Sequence, residues 1–342
     1  MGLVIPLHPR FRQAEGRKAR VMNRGARPTL RALACVGALG AMVTLNACTM
    51  FERVGAKPQA RPANLDTSAA RAVPSPDSEA LTRYYTRLQS HLLAQDLLRT
   101  GGGGVDTPYS PEDVARNFER IAFYNEYARG AGLRASNEGP DILRRWEKPV
   151  RMSVEYGDTV TEEVRDTDTR VIRDYAARLS RITGHSISLN DRNSNFHVIV
   201  STEDDRDASV ERVKELAPGI GSATVGIIRN PPRSIYCLVL TFISPDTPAT
   251  YDKAIALIRA EQPGLMRQSC IHEELAQGLG LGNDSATARP SIFNDDEEFA
   301  LLTSHDEELL RLLYHPTLKP GMSLNQARPL ISRILNGDPG QI

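Results

Sequence analysis

Neither sign of charge is in excess in this sequence: its 342 residues hold 42 Lys and Arg against 42 Asp and Glu. A protein that grips a nucleic-acid backbone needs a basic face, and placement weakens that case further. Residues 1–47 hold eight basic residues and one acid, which leaves 34 basic against 41 acidic residues, a net of −7, for the remainder. Nucleic acid is therefore not an expected partner. Long apolar runs are also missing: Ala32–Leu45 spans 14 residues, against the roughly 20 that a membrane-spanning helix needs. That excludes a polytopic membrane protein. Several reaction signatures are absent as well. The chain has no H-E-x-x-H and no G-x-S-x-G, and its Gly101–Gly104 run follows a helical pattern and carries no P-loop lysine. No internal repeat is evident. At 40% hydrophobic and 25% charged residues, the composition beyond the first segment is that of one large or two small globular domains.

What is present starts with an address. Arg24, Arg27 and Arg31 precede the apolar run, which ends in Leu45-Asn46-Ala47-Cys48. A basic segment followed by a short apolar core reads as a signal peptide over residues 1–47, in which 1–21, ahead of Met22, read either as an overextended start or as an unusually long basic lead-in. The four closing residues resemble a bacterial lipobox. The resemblance implies lipidation of Cys48 and a membrane partner reached through that lipid. It also implies a place in the cell envelope facing the periplasm, and Thr49, in place of Asp, favours the outer membrane. Of four cysteines, Cys35 lies in the apolar run and Cys48 takes the lipid. An even pair left in an oxidising compartment predicts a Cys237–Cys270 disulfide, the alternative being two separate buried thiols.

Residues 48–75 are rich in Ala, Pro and polar residues without periodicity and read as a flexible tether. Asp77 or Ser78 can cap a helix carrying Leu81, Tyr84, Tyr85, Leu88 and Leu92. Ser110-Pro111-Glu112-Asp113 starts a second one. These make a helical lead-in over 76–145. The pattern then changes: Val150–Tyr156 alternates as a strand, about 161–183 is a long helix stopped by Gly184, and 186–189 and 196–201 are strands. A polar helix lies near 207–217. Thr224–Ile228 and Ile235–Ile243 read as further strands, and about 248–260, 265–280 and 303–314 as helices. The fold class expected is α+β, a mixed sheet with a long helix in a domain over 146–335.

One stretch looks like a site: Cys270-Ile271-His272-Glu273-Glu274-Leu275-Ala276-Gln277-Gly278-Leu279-Gly280-Leu281-Gly282-Asn283-Asp284. Starting from His272, the residue one turn on is Ala276, which cannot bind metal. Shifted by one residue, the stretch resembles the metzincin signature H-E-x-x-H-x-x-G-x-x-H. That resemblance implies a zincin-like fold, with Glu274 as general base and Gly280 at the helix-ending turn. Glu273, Gln277 and Asn283 then stand at the three ligand positions, and Phe293 where a methionine would close a turn. One carboxylate and two amides are a poor cage for zinc, and calcium is the easier ion for such oxygens, with Asp284 as a fourth donor. The expectation is no resident cofactor, with zinc or calcium as exceptions. A polar plug of hydrogen-bonded side chains is the simpler reading of that set.

The segments Glu273–Asp284, Ser291–Asp295, Leu302–Asp306 and Leu313–Met322 also resemble a family of uncharacterised proteobacterial lipoproteins, domain of unknown function 2927. That family implies no established activity. Its resemblance and the degenerate motif together suggest a non-catalytic metallopeptidase-like lipoprotein that binds a peptide or an envelope partner. The alternative is an active metal-dependent hydrolase using Glu274. His305, beside Asp306-Glu307-Glu308, reads as structural or solvated, and Asp295–Glu298 as a solvated acidic loop.

Overall fold

The computed structural model describes residues 3–4, 73–125, 136 and 138–337. Apart from Leu3–Val4, the expected signal segment over residues 1–47 lies outside the described residues, as do Cys48 and all but the last three residues of the expected tether. From residue 73 onward the described chain forms one compact unit. No helix among the described residues is long and apolar enough to cross a membrane.

The centre is a mixed sheet. Strands β2 (Val150–Tyr156), β3 (Ile187–Leu189), β4 (Phe196–Ser201) and β6 (Tyr251–Arg259) run parallel, and β5 (Cys237–Ile243) lies antiparallel beside β6. The order is β5-β6-β4-β2-β3, with the two-residue β1 (Leu3–Val4) paired antiparallel on the outer side of β5. Two helices precede it: α1 (Pro76–Leu93) and α2 (Pro111–Phe123). Ser75, one residue ahead of Pro76, caps α1 by accepting the Ser78 N–H, so the helix starts before the residues expected to cap it. Helix α2 begins at the expected Ser110-Pro111 start, where Ser110 and Asp113 form a capping box. Helix α3 (Glu162–Thr183) ends on Gly184 in the left-handed conformation, φ 65°.

On one face of the sheet lie α3 and α6 (Gly264–Gln277), followed by α7 (Ser304–Leu313) and α8 (Leu324–Leu335). Val150, Met152, Phe196, Val198, Ala254, Ala256 and Ile258 point into this larger core. The opposite face carries α4 (Arg206–Leu216) and α5 (Ser222–Arg229) over Ile199, Leu238, Leu240 and Ile255. The alternation of strand side chains between the faces fixes which residues meet which helices. Cys237 of β5 and Cys270 of α6 form the predicted disulfide, with Cα atoms 5.8 Å apart.

Three expectations need correction. The stretch about 248–260 is strand β6, not a helix. It pairs on both sides, and a strand buried on both faces reads as a continuous apolar run that length alone separates from helix. Thr224–Ile228 belongs to helix α5, where Thr224 and Ile228 are buried, so packing overrides the local preference of a β-branched run. Helix α8 was not expected; Pro329 inside it obscures its periodicity.

Candidate functional site

Helix α6 leaves β6 through a four-residue link and is sunk in the protein. From Met266 to Gln277 only Gln268 escapes burial. A helix buried all round must find partners for its polar side chains inside. Arg267 does so with Asp168 of α3, at 2.7 Å. His272 accepts the Leu302 N–H on Nδ1 at 3.1 Å. Its ring stacks on Tyr175 with centroids 3.9 Å apart, and the Tyr175 hydroxyl donates to the His272 carbonyl at 2.8 Å. Burial, with Arg178 adding to it, pushes the His272 pKa down to about 3. A neutral imidazole whose Nδ1 is an acceptor carries its proton on Nε2. His272 is a core histidine.

Glu273 and Gln277 stand one turn apart on α6 and share a face, while Glu274 lies about 100° around. Glu273 and Glu274 expose no surface and Gln277 only 1%. After Gln277 the chain turns at once. A β-carbon at Gly278 would stand 2.6 Å from the Phe196 ring. At Gly280, φ is 132° and a β-carbon would meet the Arg144 carbonyl at 2.5 Å. Glycine is therefore required twice, by close approach and by backbone conformation. Trp146 Nε1 donates to the Gly278 carbonyl at 2.8 Å, and the Tyr314 hydroxyl to the Leu279 carbonyl at 3.1 Å.

Beyond the turn, Asn283 donates from Nδ2 to the Arg120 carbonyl of α2 at 3.0 Å. The third ligand-position residue is thus tied to α2. Asn117, also on α2, is a residue that sequence reasoning missed. Its Oδ1 accepts the hydroxyls of Ser285 and Thr287, at 3.2 and 3.0 Å, so its amino group faces His305 Nε2 at 3.2 Å. His305 Nε2 is then the acceptor, and its proton sits on Nδ1. The side chain is fully buried, so the solvated reading of His305 gives way to the structural one.

Asp306 is the second residue missed. Fully buried, it accepts from the Ser291 hydroxyl, the Ile292 N–H, and the Thr303 N–H and hydroxyl, at 2.5 to 3.1 Å. One carboxylate thereby binds two motif segments, Ser291–Asp295 and Leu302–Asp306, and caps α7. Phe293 is fully buried beside it, its carbonyl accepting the Ser285 N–H at 2.9 Å. In the acidic run, Glu298 is paired with Arg99 and Arg289, at 3.0 and 2.5 Å.

The donor set at the ligand positions does not suit a transition ion. It offers one carboxylate and two amides, with neither imidazole nor thiolate among them. His272, the imidazole on this helix, is committed to Leu302. Among the described residues, no group of three or more His, Cys, Asp or Glu is placed to hold a metal ion.

Residues 111–333 match the family model described as "Protein of unknown function (DUF2927)", and the chain belongs to that family. The match opens at the first residue of α2 and closes inside α8, so it takes in Asn117, the α6 segment and Asp306. No curated protein and no solved structure matches the chain.

Proposed function

We propose that the chain is a lipid-anchored envelope protein with a metallopeptidase-like scaffold that binds a peptide or envelope partner and has given up catalysis. The burial of Glu273, Glu274 and Gln277 carries this reading. A general base must touch the proton that it abstracts, directly or through one water. A carboxylate with no exposed surface, beside a donor set that suits no transition ion, has neither substrate nor Lewis acid to work with. The order along the chain lends the scaffold its support: the long helix α3 and the strands of the sheet come first and the motif helix follows them, in keeping with the metzincin resemblance.

Hydrolysis separates this reading from its alternative. Purified protein incubated with casein and with fluorogenic peptides is expected to show no chelator-sensitive cleavage, and Glu274→Gln to change nothing. Zinc-stimulated cleavage lost in Glu274→Gln would establish the hydrolase instead. The anchor has its own test: Cys48→Ser should release the protein from the membrane fraction. Retention with unchanged processing would remove the lipid from the proposal.

A further inference from the structure

The two edges of the sheet are built differently. Edge strand β3 is three residues long and leads into Asp191 and Arg192, the short and charged form by which natural sheets resist pairing with another chain. At the opposite edge β5 runs seven residues, Cys237-Leu238-Val239-Leu240-Thr241-Phe242-Ile243, without a charge or a proline. Nothing in its sequence blunts it.

Its outward groups follow from the ladder. Ala254 gives its N–H to the Asn195 carbonyl, on the β4 side, so alternation turns the N–H groups of Ile255 and Leu257 towards β5. Their partners Leu240 and Leu238 face back at them. Val239 and Thr241 therefore point their N–H and C=O groups away from β6. On that side Leu3 and Val4 are seated antiparallel, with Val4 opposite Thr241. The edge thus accepts an added strand, and among the described residues β1 is the one strand that occupies it.

That occupant belongs to the segment read as a leader, which is cut away ahead of Cys48; this step rests on the lipid-anchor reading given above. The mature chain is then left with an open edge at Val239 and Thr241. Such an edge is a template for another strand.

A second β5 fits it. In antiparallel pairing about a two-fold axis at Leu240, Val239 of each copy stands opposite Thr241 of the other, and the outward groups at both positions are used. The same register brings Arg233, ahead of the strand, beside Asp246 of the second copy, beyond it, and does so at both ends. Arg233 and Asp246 are exposed. Arg233 lies over the Tyr84 ring, and Lys148, whose charge Asp246 also feels, is paired with Asp252 at 2.9 Å. A surface that sets a basic end against an acidic end under a two-fold is complementary to itself. Two copies anchored in one membrane also meet at a raised effective concentration.

We propose that the mature protein is a two-fold dimer, joined β5 to β5, in which the five strands from β5 to β3 of each copy form one continuous sheet.

Sedimentation of the full-length gene product, expressed in bacteria and extracted in mild detergent, tests it, with the intact mass read on the same sample. The expected species is a dimer of chains that begin at Cys48. Arg233→Glu and Asp246→Arg each set like charges together and should each weaken the dimer at least about tenfold, and the two combined should restore it. Thr241→Pro removes an outward donor while leaving the bonds to β6, and should give a monomer. A processed monomer would overturn the proposal and leave the anchor reading standing, as would a dimer indifferent to all three substitutions, or a monomer that takes up an apolar peptide at β5. An intact mass that retains Leu3 and Val4 would remove the leader reading, and the open edge with it. If Thr241→Pro does not fold, failure of the combined charge reversal to restore the dimer overturns the proposal.

Discussion

The two faces of the sheet handle polar groups in opposite ways. Towards α4 and α5, the polar side chains of β2 and β4 reach an edge: His197 contacts Glu155 at 3.3 Å, and Glu155 is held by Arg212, which is 41% exposed. Elsewhere that face is packed with aliphatic side chains such as Val213, Leu240 and Ile255. Towards α3, α6 and α7, polar groups are shut inside: Asp168, His272, Glu273, Glu274, Asn283, His305 and Asp306 are all buried. Burial raises the stakes of every hydrogen bond, because a lost partner leaves a group that water cannot reach. The sealed face is therefore where single substitutions should hurt, and where the chain carries its motif residues.

The comparison can be broken from its most extreme member downwards. Asp306→Ala strands the Ser291 hydroxyl and the N–H groups of Ile292 and Thr303, at about 1–3 kcal/mol each. We expect a loss of about 5 kcal/mol in denaturant unfolding, and a loss below about 1 kcal/mol would deny Asp306 its role as a hub. His272 is next. It titrates near 6.5 when unfolded and near 3 when folded, so the unfolded chain binds the extra proton between those values. Stability should accordingly fall as pH drops below 6.5 and the loss should be complete near 3, by up to about 5 kcal/mol. His272→Asn keeps an acceptor for Leu302 and should flatten this dependence; parallel pH curves for the two proteins would contradict the assignment.

The disulfide closes a separation of 33 residues, which the chain-entropy account values at about 3–4 kcal/mol. The Cys237→Ala, Cys270→Ala double variant should unfold at correspondingly lower denaturant, and an unchanged midpoint would show the bridge to be incidental. On the open face, the hydrogen bond with His197, partly offset by burial and joined by the pull of Arg212, brings the Glu155 carboxyl down to about 2. Its partner Arg212 is solvated, so Arg212→Ala should cost only about 1 kcal/mol or less at neutral pH. A loss rivalling that of Asp306→Ala would erase the distinction between the faces.

Much of this architecture is legible in the sequence wherever a local rule and the tertiary setting agree. The helix start at Ser110-Pro111, the stop at Gly184, the alternation of β2 and the pairing of Cys237 with Cys270 are such cases. Where the setting decides alone, reading fails. Strand β6 is a central strand whose apolar run has no period of its own, and α5 is β-branched but held as a helix by the core beneath it. At the site, the spacing of α6 located the buried helix and its terminal turn. It did not find Asn117, whose partners lie 168 to 188 residues away in sequence. Asp306 was seen as one acid in a charged run because nothing local distinguishes a carboxylate that four donors converge upon.

The contact between Gly278 and Phe196 sets a limit on how this protein can respond to anything that it binds. With no room for even a methyl group between the end of the helix and the middle strand, α6 has no clearance to slip along or roll over the sheet. A conformational signal from the motif region must travel instead through the stretch between Leu281 and Thr303, whose ties to α2 and α7 are hydrogen bonds that can be exchanged one at a time.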